Sequence, residues 1–250
     1  DSKTIGFMRE YVREVVTRYK DSPAIWAWEF GNEYNLEKDL PNAADHRPAV
    51  HPNLGTQQSR SELDDLTHEH VAAALEEFAK EVRKYDPGRL IVSGNSIPRP
   101  GAWNQREHLK FGQDTVEQFK IMLLAENPDP LDGISVHYYL TKSDRFGKPE
   151  DVDEVLEIMA GTAREAGKPL FIGEFGVGEA EEEGGLIDHE LARERFADLA
   201  SSIDRAGVPL AALWVYDFWG QPDWSVTGDN RRAYQLEAIR ELNDKYENNQ

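Results

Sequence analysis

Apolar residues recur along this chain in two rhythms. From Lys3 to Tyr19, the residues Ile5, Met8, Val12, Val15, Val16 and Tyr19 fall three or four apart, which predicts an amphipathic helix ended by Asp21-Ser22-Pro23. Residues 24–30 form a short run of Ile, Trp and Phe bounded by Pro23 and Gly31, which predicts a buried strand. The polar stretch at 34–60 is rich in Asn, Asp, Pro and His; so long a loop in a compact fold predicts a functional rim or lid. Helix 62–84, strand 89–93 and a loop through 113 follow. The alternation then runs helix 114–126, strand 133–137, helix 150–166, strand 169–174, helix 189–206, strand 210–216 and helix 233–247.

The pattern amounts to five βα units preceded by one helix. Strands alternating with helices of this length predict an α/β fold with a parallel sheet and right-handed crossovers. No linker or low-complexity tract interrupts it, so residues 1–250 read as a single domain. Glu179 to Gly185 is a charge run that reads as a solvated loop after the fourth of these strands. The first residues, Asp1-Ser2-Lys3-Thr4, carry no Met, and the natural N-terminus is expected upstream or processed.

Composition narrows the partners. With 28 Lys+Arg against 47 Asp+Glu, the net charge of −19 disfavours nucleic acid and anionic membranes and suits a neutral substrate. No apolar stretch approaches the roughly 18 residues of a membrane span. Cysteine is absent, which excludes disulfides, thiol nucleophiles and thiolate metal sites. His68 and His70 sit two apart on a predicted helix and diverge, unlike the i, i+4 pair of a zinc helix, and His46 and His51 fall in the long loop. Gly173, Gly176 and Gly178 follow a glutamate rather than open a helix, so they are no dinucleotide fingerprint. Asp204 and Asp217 lack triad partners. No metal and no organic cofactor is expected.

The chemistry lies in two stretches, Trp28-Glu29-Phe30-Gly31-Asn32-Glu33 and Phe171-Ile172-Gly173-Glu174-Phe175-Gly176. Each sets a glutamate just past an apolar run. A carboxylate at the C-terminal end of a parallel strand sits where α/β folds place their chemistry. Two of them suggest the carboxylate pair of glycoside hydrolysis.

These residues resemble a known family. Pro23-Ala24-Ile25 through Gly31-Asn32-Glu33 is similar to the fourth strand of glycoside hydrolase clan A, and of family 5 (cellulases and β-mannanases) in particular. Ser135-Val136-His137-Tyr138-Tyr139 resembles its sixth strand, Ile172-Gly173-Glu174-Phe175-Gly176 its seventh and Leu213-Trp214 its eighth. The resemblance implies a retaining β-glycoside hydrolase, endo-acting on β-1,4-glucan or mannan. Glu33 would be the acid/base, with a raised pKa, and Glu174 the nucleophile, with Asn32 on the substrate 2-hydroxyl. It further implies Tyr139 on Glu174, His137 on sugar hydroxyls or Glu33, and Trp214 stacked on a pyranose. Trp219, Trp224, Trp103 and Tyr34 would extend that platform, while Trp26 and Trp28 pack inside or between layers. A secreted or periplasmic location is implied as well.

A complete (βα)8 barrel takes about 250 residues, yet the resemblance to strand four starts near residue 24, after a helix like the family's third. The expected fold is therefore a partial TIM barrel, five parallel βα units corresponding to strands four to eight, preceded by one helix. The family's early-strand Arg and His have no counterpart here. Such an open sheet exposes edges and apolar patches around 24–30 and 210–216, so a homodimer or a partner completing the barrel is expected. Two alternatives stay open: a catalytically silent carbohydrate-binding protein, and a fragment whose function depends on that partner.

Overall fold

The computed structural model describes residues 3–140, 143–179 and 188–247. Helix α1 spans Lys3–Tyr19 as its apolar spacing predicts. Helix α2, His68–Arg83, starts six residues later than the periodicity predicts. Two capping boxes explain the difference. Ser61 caps a separate 3-10 turn, Glu62–Asp64, after which the chain extends at Asp65, and Thr67 then caps α2 through the His70 N–H. The polar stretch before it is folded into further 3-10 turns at Tyr34–Leu36, Ala43–His46 and Pro52–Leu54.

Strand β1, Ala27–Glu29, pairs in parallel with β2, Leu90–Val92. Strand β3, Ile134–His137, pairs with the central β6, Leu170–Phe175, which also pairs with β7, Leu210–Leu213, all parallel. The two groups are stitched together by a Ser96–His137 bridge and by backbone bonds from Asp132 N–H to Ile91 O (3.0 Å) and His137 N–H to Asn95 O (2.8 Å). Parallel strands thus follow one another in chain order, each leading to a helix: α2, α4 (Val116–Ala125), α5 (Val152–Ala166), α6 (His189–Arg205) and α7 (Tyr234–Glu247). This is the α/β alternation the sequence pattern predicts.

Three details differ from that expectation. The segment before 113 contains a short helix α3, Ala102–His108, whose first N–H groups at Trp103 and Asn104 are capped by the Asp114 carboxylate. A small antiparallel hairpin, β4 Asp144–Arg145 and β5 Lys148–Pro149, precedes α5. Strand β7 stops at Leu213 rather than 216, because Val215 O accepts from Val226 N–H and the chain is drawn toward the following loop.

The core forms two clusters. One packs β3, β6 and the inner faces of α4 to α7 around Phe119, Leu156, Ile172, Phe196 and Leu199. The other packs α1 and α2 on β1 and β2 around Val16, Trp28, Leu75 and Ile91. Trp28 is buried as expected, its indole N–H donating to Asp86 at 2.9 Å. Trp26 is not inside or between layers: it precedes the paired residues of β1 and is 71% exposed. On α1, Phe7, Met8 and Tyr11 are also exposed.

Candidate active site

Glu33 lies just beyond β1, where Phe30 N–H donates to Val92 O and Glu33 N–H to Gly94 O (2.8 Å). Its φ of 57° puts a non-glycine residue in the left-handed region, a conformation that costs roughly 1–3 kcal/mol and clusters at functional sites. Gly94, φ 71°, makes the close approach possible, since a Cβ there would collide with Gly31 O and fall 2.8 Å from the Glu29 carboxyl.

Glu174 leaves β6 toward the same place. Between Val136 and His137 the β3–β6 register slips, so that Val136 faces Ile172 but His137 faces Glu174. Such a bulge re-aims a side chain. Gly173 leaves room for the imidazole, as a Cβ there would meet His137 Cδ2 at 3.1 Å. The buried His137 places Nδ1 3.1 Å from Glu33 Oε1 and 3.3 Å from Glu174 Oε2. One carboxylate oxygen of each glutamate and the His137 nitrogen lie within 4.8 Å of one another. Tyr139 donates its hydroxyl to Glu174 Oε2 at 2.6 Å. Among the described residues, Glu33, His137 and Glu174 are also the group whose donor set could accept a cation.

The electrostatics correct one expectation. The pKa of Glu33 is held below the ordinary carboxylate value, because the His137 hydrogen bond favours the charged form and outweighs partial burial. A raised value, expected for an acid beside a second carboxylate, is found instead at Glu29, where desolvation and the Glu174 charge favour the neutral form. Burial and the Glu174 bond push the Tyr139 phenol well above its usual range.

The aromatic residues divide into two groups. Trp224 meets the Tyr139 ring edge-on at 5.2 Å, so it belongs to the cluster. Half-buried Trp214 follows β7 and is fixed by its indole N–H to Gln221 Oε1 at 2.7 Å. Trp219 is 91% exposed, its ring beside that of Phe218, while Asn32 and Tyr34 are exposed beside Glu33. Trp103 is on α3 against His108, not in a loop.

The family model "Cellulase (glycosyl hydrolase family 5)" matches residues 1–215. The chain belongs to glycosyl hydrolase family 5. A probable mannan endo-1,4-β-mannosidase C of Aspergillus terreus is 33% identical over 86 residues, 34% of this chain and 18% of that protein. Among solved structures, the endo-β-1,4-mannanase of Thermotoga petrophila aligns with a TM-score of 0.57 at 15% identity, over 96% of this chain and 50% of its own. The endo-1,4-β-mannanase of Rhizomucor miehei gives 0.56 at 14% identity, over 95% and 63%. Those likenesses show the fold, and the chain spans about half to two thirds of these proteins' length.

Sequence reasoning missed much of what holds this family 5 site together. Asn35 donates to Glu126 Oε2 (2.6 Å) and Ser96 O (2.8 Å), and Lys38 Nζ pairs with Glu126 at 2.9 Å, all three side chains buried. This network locks the turn after Glu33 onto the segments after β2 and α4. A polar loop gives no signal for it, since burial of a lysine is visible only in three dimensions. Glu29 had a signal: strand alternation puts it opposite the buried Trp28. Glu179, expected in a solvated run, is instead buried and paired with Arg232 (2.8 Å) and Arg231 (2.9 Å); residues 180–185 of that run lie outside the described residues.

Proposed function

We propose that this protein is a retaining β-glycoside hydrolase, endo-acting on β-1,4-linked glucan or mannan by double displacement. The observation that carries the proposal is the approach of Glu33 and Glu174 within 4.8 Å. Retaining enzymes hold their carboxyls about 5–5.5 Å apart, whereas inverting ones leave about 6.5–9.5 Å for a water. Glu174, held by Tyr139, attacks the anomeric carbon as Glu33 gives its proton to the departing oxygen. Glu33 then takes a proton from water, which displaces Glu174. The His137 bond favours ionised Glu33, so the first step needs that bond to pass to Glu174, which Nδ1 already approaches at 3.3 Å. Asn32, Trp214, Trp219 and Trp224 would form the sugar site. The mannanases and endoglucanase that the chain resembles support this substrate class.

We further propose that residues 1–250 form one domain corresponding to strands four to eight of the barrel, with its α1–α2 flank packing against a second copy or a partner. Support comes from the exposed Phe7, Met8, Tyr11 and Trp26 and from a groove of about 360 Å³ between α1 and α2 lined by Met8, Val12, Phe30 and Phe78. That open flank, together with the lowered Glu33 pKa, also supports a second reading, a carbohydrate-binding protein without turnover. A polymeric substrate would place either form outside the cytoplasm.

Turnover of aryl β-glucosides and β-mannosides, alongside their polysaccharides, tests the proposal. Activity that Glu174→Gln abolishes is expected. Tight oligosaccharide binding without turnover would select the second reading, and light scattering that finds a monomer would refute self-association.

A further inference from the structure

The loop between β7 and α7 is gripped by a buried ion pair that lies away from the carboxylates. Arg232 spends its whole fork on it: Nε donates to Ser225 O at 2.7 Å, Nη2 to Pro222 O at 2.7 Å, and Nη1 to Glu179 Oε2 at 2.8 Å. Glu179 comes from the segment after β6, and its own N–H donates to Asp223 O at 3.1 Å. Arg231 and His189 Nδ1 close on the other Glu179 oxygen at 2.9 and 3.1 Å. Burial works to raise the Glu179 pKa, but these donors and charges outweigh it and keep the carboxyl ionised.

The gripped segment, 222–225, carries Trp224 at its centre. The indole lies against Gly178, where a Cβ would fall 2.5 Å from Trp224 Cε2, and its ring meets that of Tyr139 edge-on at 5.2 Å. Tyr139 in turn donates to Glu174. Each link touches the next.

We propose that Arg232, through its pair with Glu179, is a positioning residue that seats Trp224 against Tyr139 and so fixes the donor that aims Glu174. The proposal rests on reading Glu174 as the nucleophile. A lysine keeps the charge but not the planar fork, so it cannot hold two carbonyls and a carboxylate together. An indole freed from its seat no longer confines the phenol, and a misplacement of about 1 Å at a nucleophile costs up to roughly 100-fold in rate.

Arg232→Lys tests this through two readouts that need no turnover. Alkaline ultraviolet titration of the phenols should show one more tyrosine ionising in the ordinary range than in the wild type, and that extra phenol should vanish in the Arg232→Lys/Tyr139→Phe double variant. The near-ultraviolet circular dichroism change should match that of Trp224→Phe. With an aryl β-glycoside, kcat should fall about 10- to 100-fold and KM by less than about twofold. Wild-type titration and dichroism in Arg232→Lys overturn the clamp, whatever the activity. If the wild type turns nothing over, the nucleophile reading fails separately and the two spectra still decide the seating of Trp224. Should Arg232→Lys fail to fold, Glu179→Gln removes the charge but keeps the backbone bond to Asp223, and the same readouts apply.

Discussion

Among the described residues, the cluster around Glu174, drawn mostly from β3, β6 and α4 to α7, buries 20 apolar side chains, whereas the cluster near Glu33, drawn mostly from α1, α2, β1 and β2, buries eight. Beyond that smaller cluster lies the open α1–α2 groove. The two carboxylates therefore owe their positions to different forces. Glu174 projects from a strand clamped between packed neighbours, and its backbone O accepts from Tyr138 N–H at 2.8 Å. Glu33 sits on a turn whose place is set by the polar lock of Asn35, Lys38 and Glu126. Apolar packing spreads its stabilisation over many contacts, while a buried polar lock fails once one member is missing. The position proposed as the acid/base is thus the fragile half of the site.

The largest effect that would sharpen this contrast is kinetic. Glu126→Gln breaks the pair with Lys38 and should misplace Glu33, lowering turnover of unactivated glycosides by roughly 10²–10³-fold, within the range that general acid catalysis supplies. A dinitrophenyl leaving group needs no proton, so the first step on that substrate should be nearly spared in Glu126→Gln, as in Glu33→Ala. A burst of dinitrophenol in rapid-mixing experiments measures it, and equal losses on both substrates would mean that Glu126 also governs Glu174.

Stability comes next. Leu156→Ala in the larger cluster should cost about 2–5 kcal/mol, the range for a fully buried leucine. Phe78→Ala on the groove side of α2 should cost less, since the ring is only half-buried and leaves no closed cavity. Urea unfolding of both variants compares them; a larger loss at Phe78 would show that the flank is covered in solution.

The smallest effect is the response to acid. Burial tends to raise the pKa of Asp86, but hydrogen bonds from Trp28, the Arg89 and Gly88 N–H groups and the Arg89 side chain outweigh it and bring the value down to about 2 from 3.8. A depressed folded-state value stabilises the chain above the unfolded pKa, so this contribution is complete above 3.8 and is lost as pH falls toward 2. Trp28, bonded to Asp86, should report it: acid should quench or shift indole emission in the β1–β2 half before amide circular dichroism is lost. Asp86→Asn should abolish that early phase.

The parts legible in the sequence are those set by local pattern. Helical spacing gave α1 within the described residues, and the apolar runs before Glu33 and Glu174 gave β1 and β6, because those signals depend only on neighbours in the chain. The start of α2 was missed because two capping boxes, at Ser61 and Thr67, compete within one apolar-periodic stretch. At the site, Glu33, His137, Tyr139 and Glu174 carry visible motifs, and the structure gathers them. Lys38, Glu126, Glu179 and Arg232 carry no local motif, since the pairs that bury them, Lys38 with Glu126 and Glu179 with Arg232, join residues far apart in the chain. The lowered Glu33 pKa was out of reach as well, because it follows from the one-residue slip that turns His137 toward both carboxylates.

The left-handed backbone at Glu33 makes this position serve two masters. The proposed reaction needs its carboxylate, while its φ of 57° is one that asparagine tolerates far better than glutamate. Selection for thermal resistance alone would therefore drift toward Glu33→Asn, and the resulting protein would melt higher while losing its acid. Directed evolution of this scaffold for heat tolerance, run without a screen for turnover, should find that substitution early, a trade of activity for durability concentrated at a single residue.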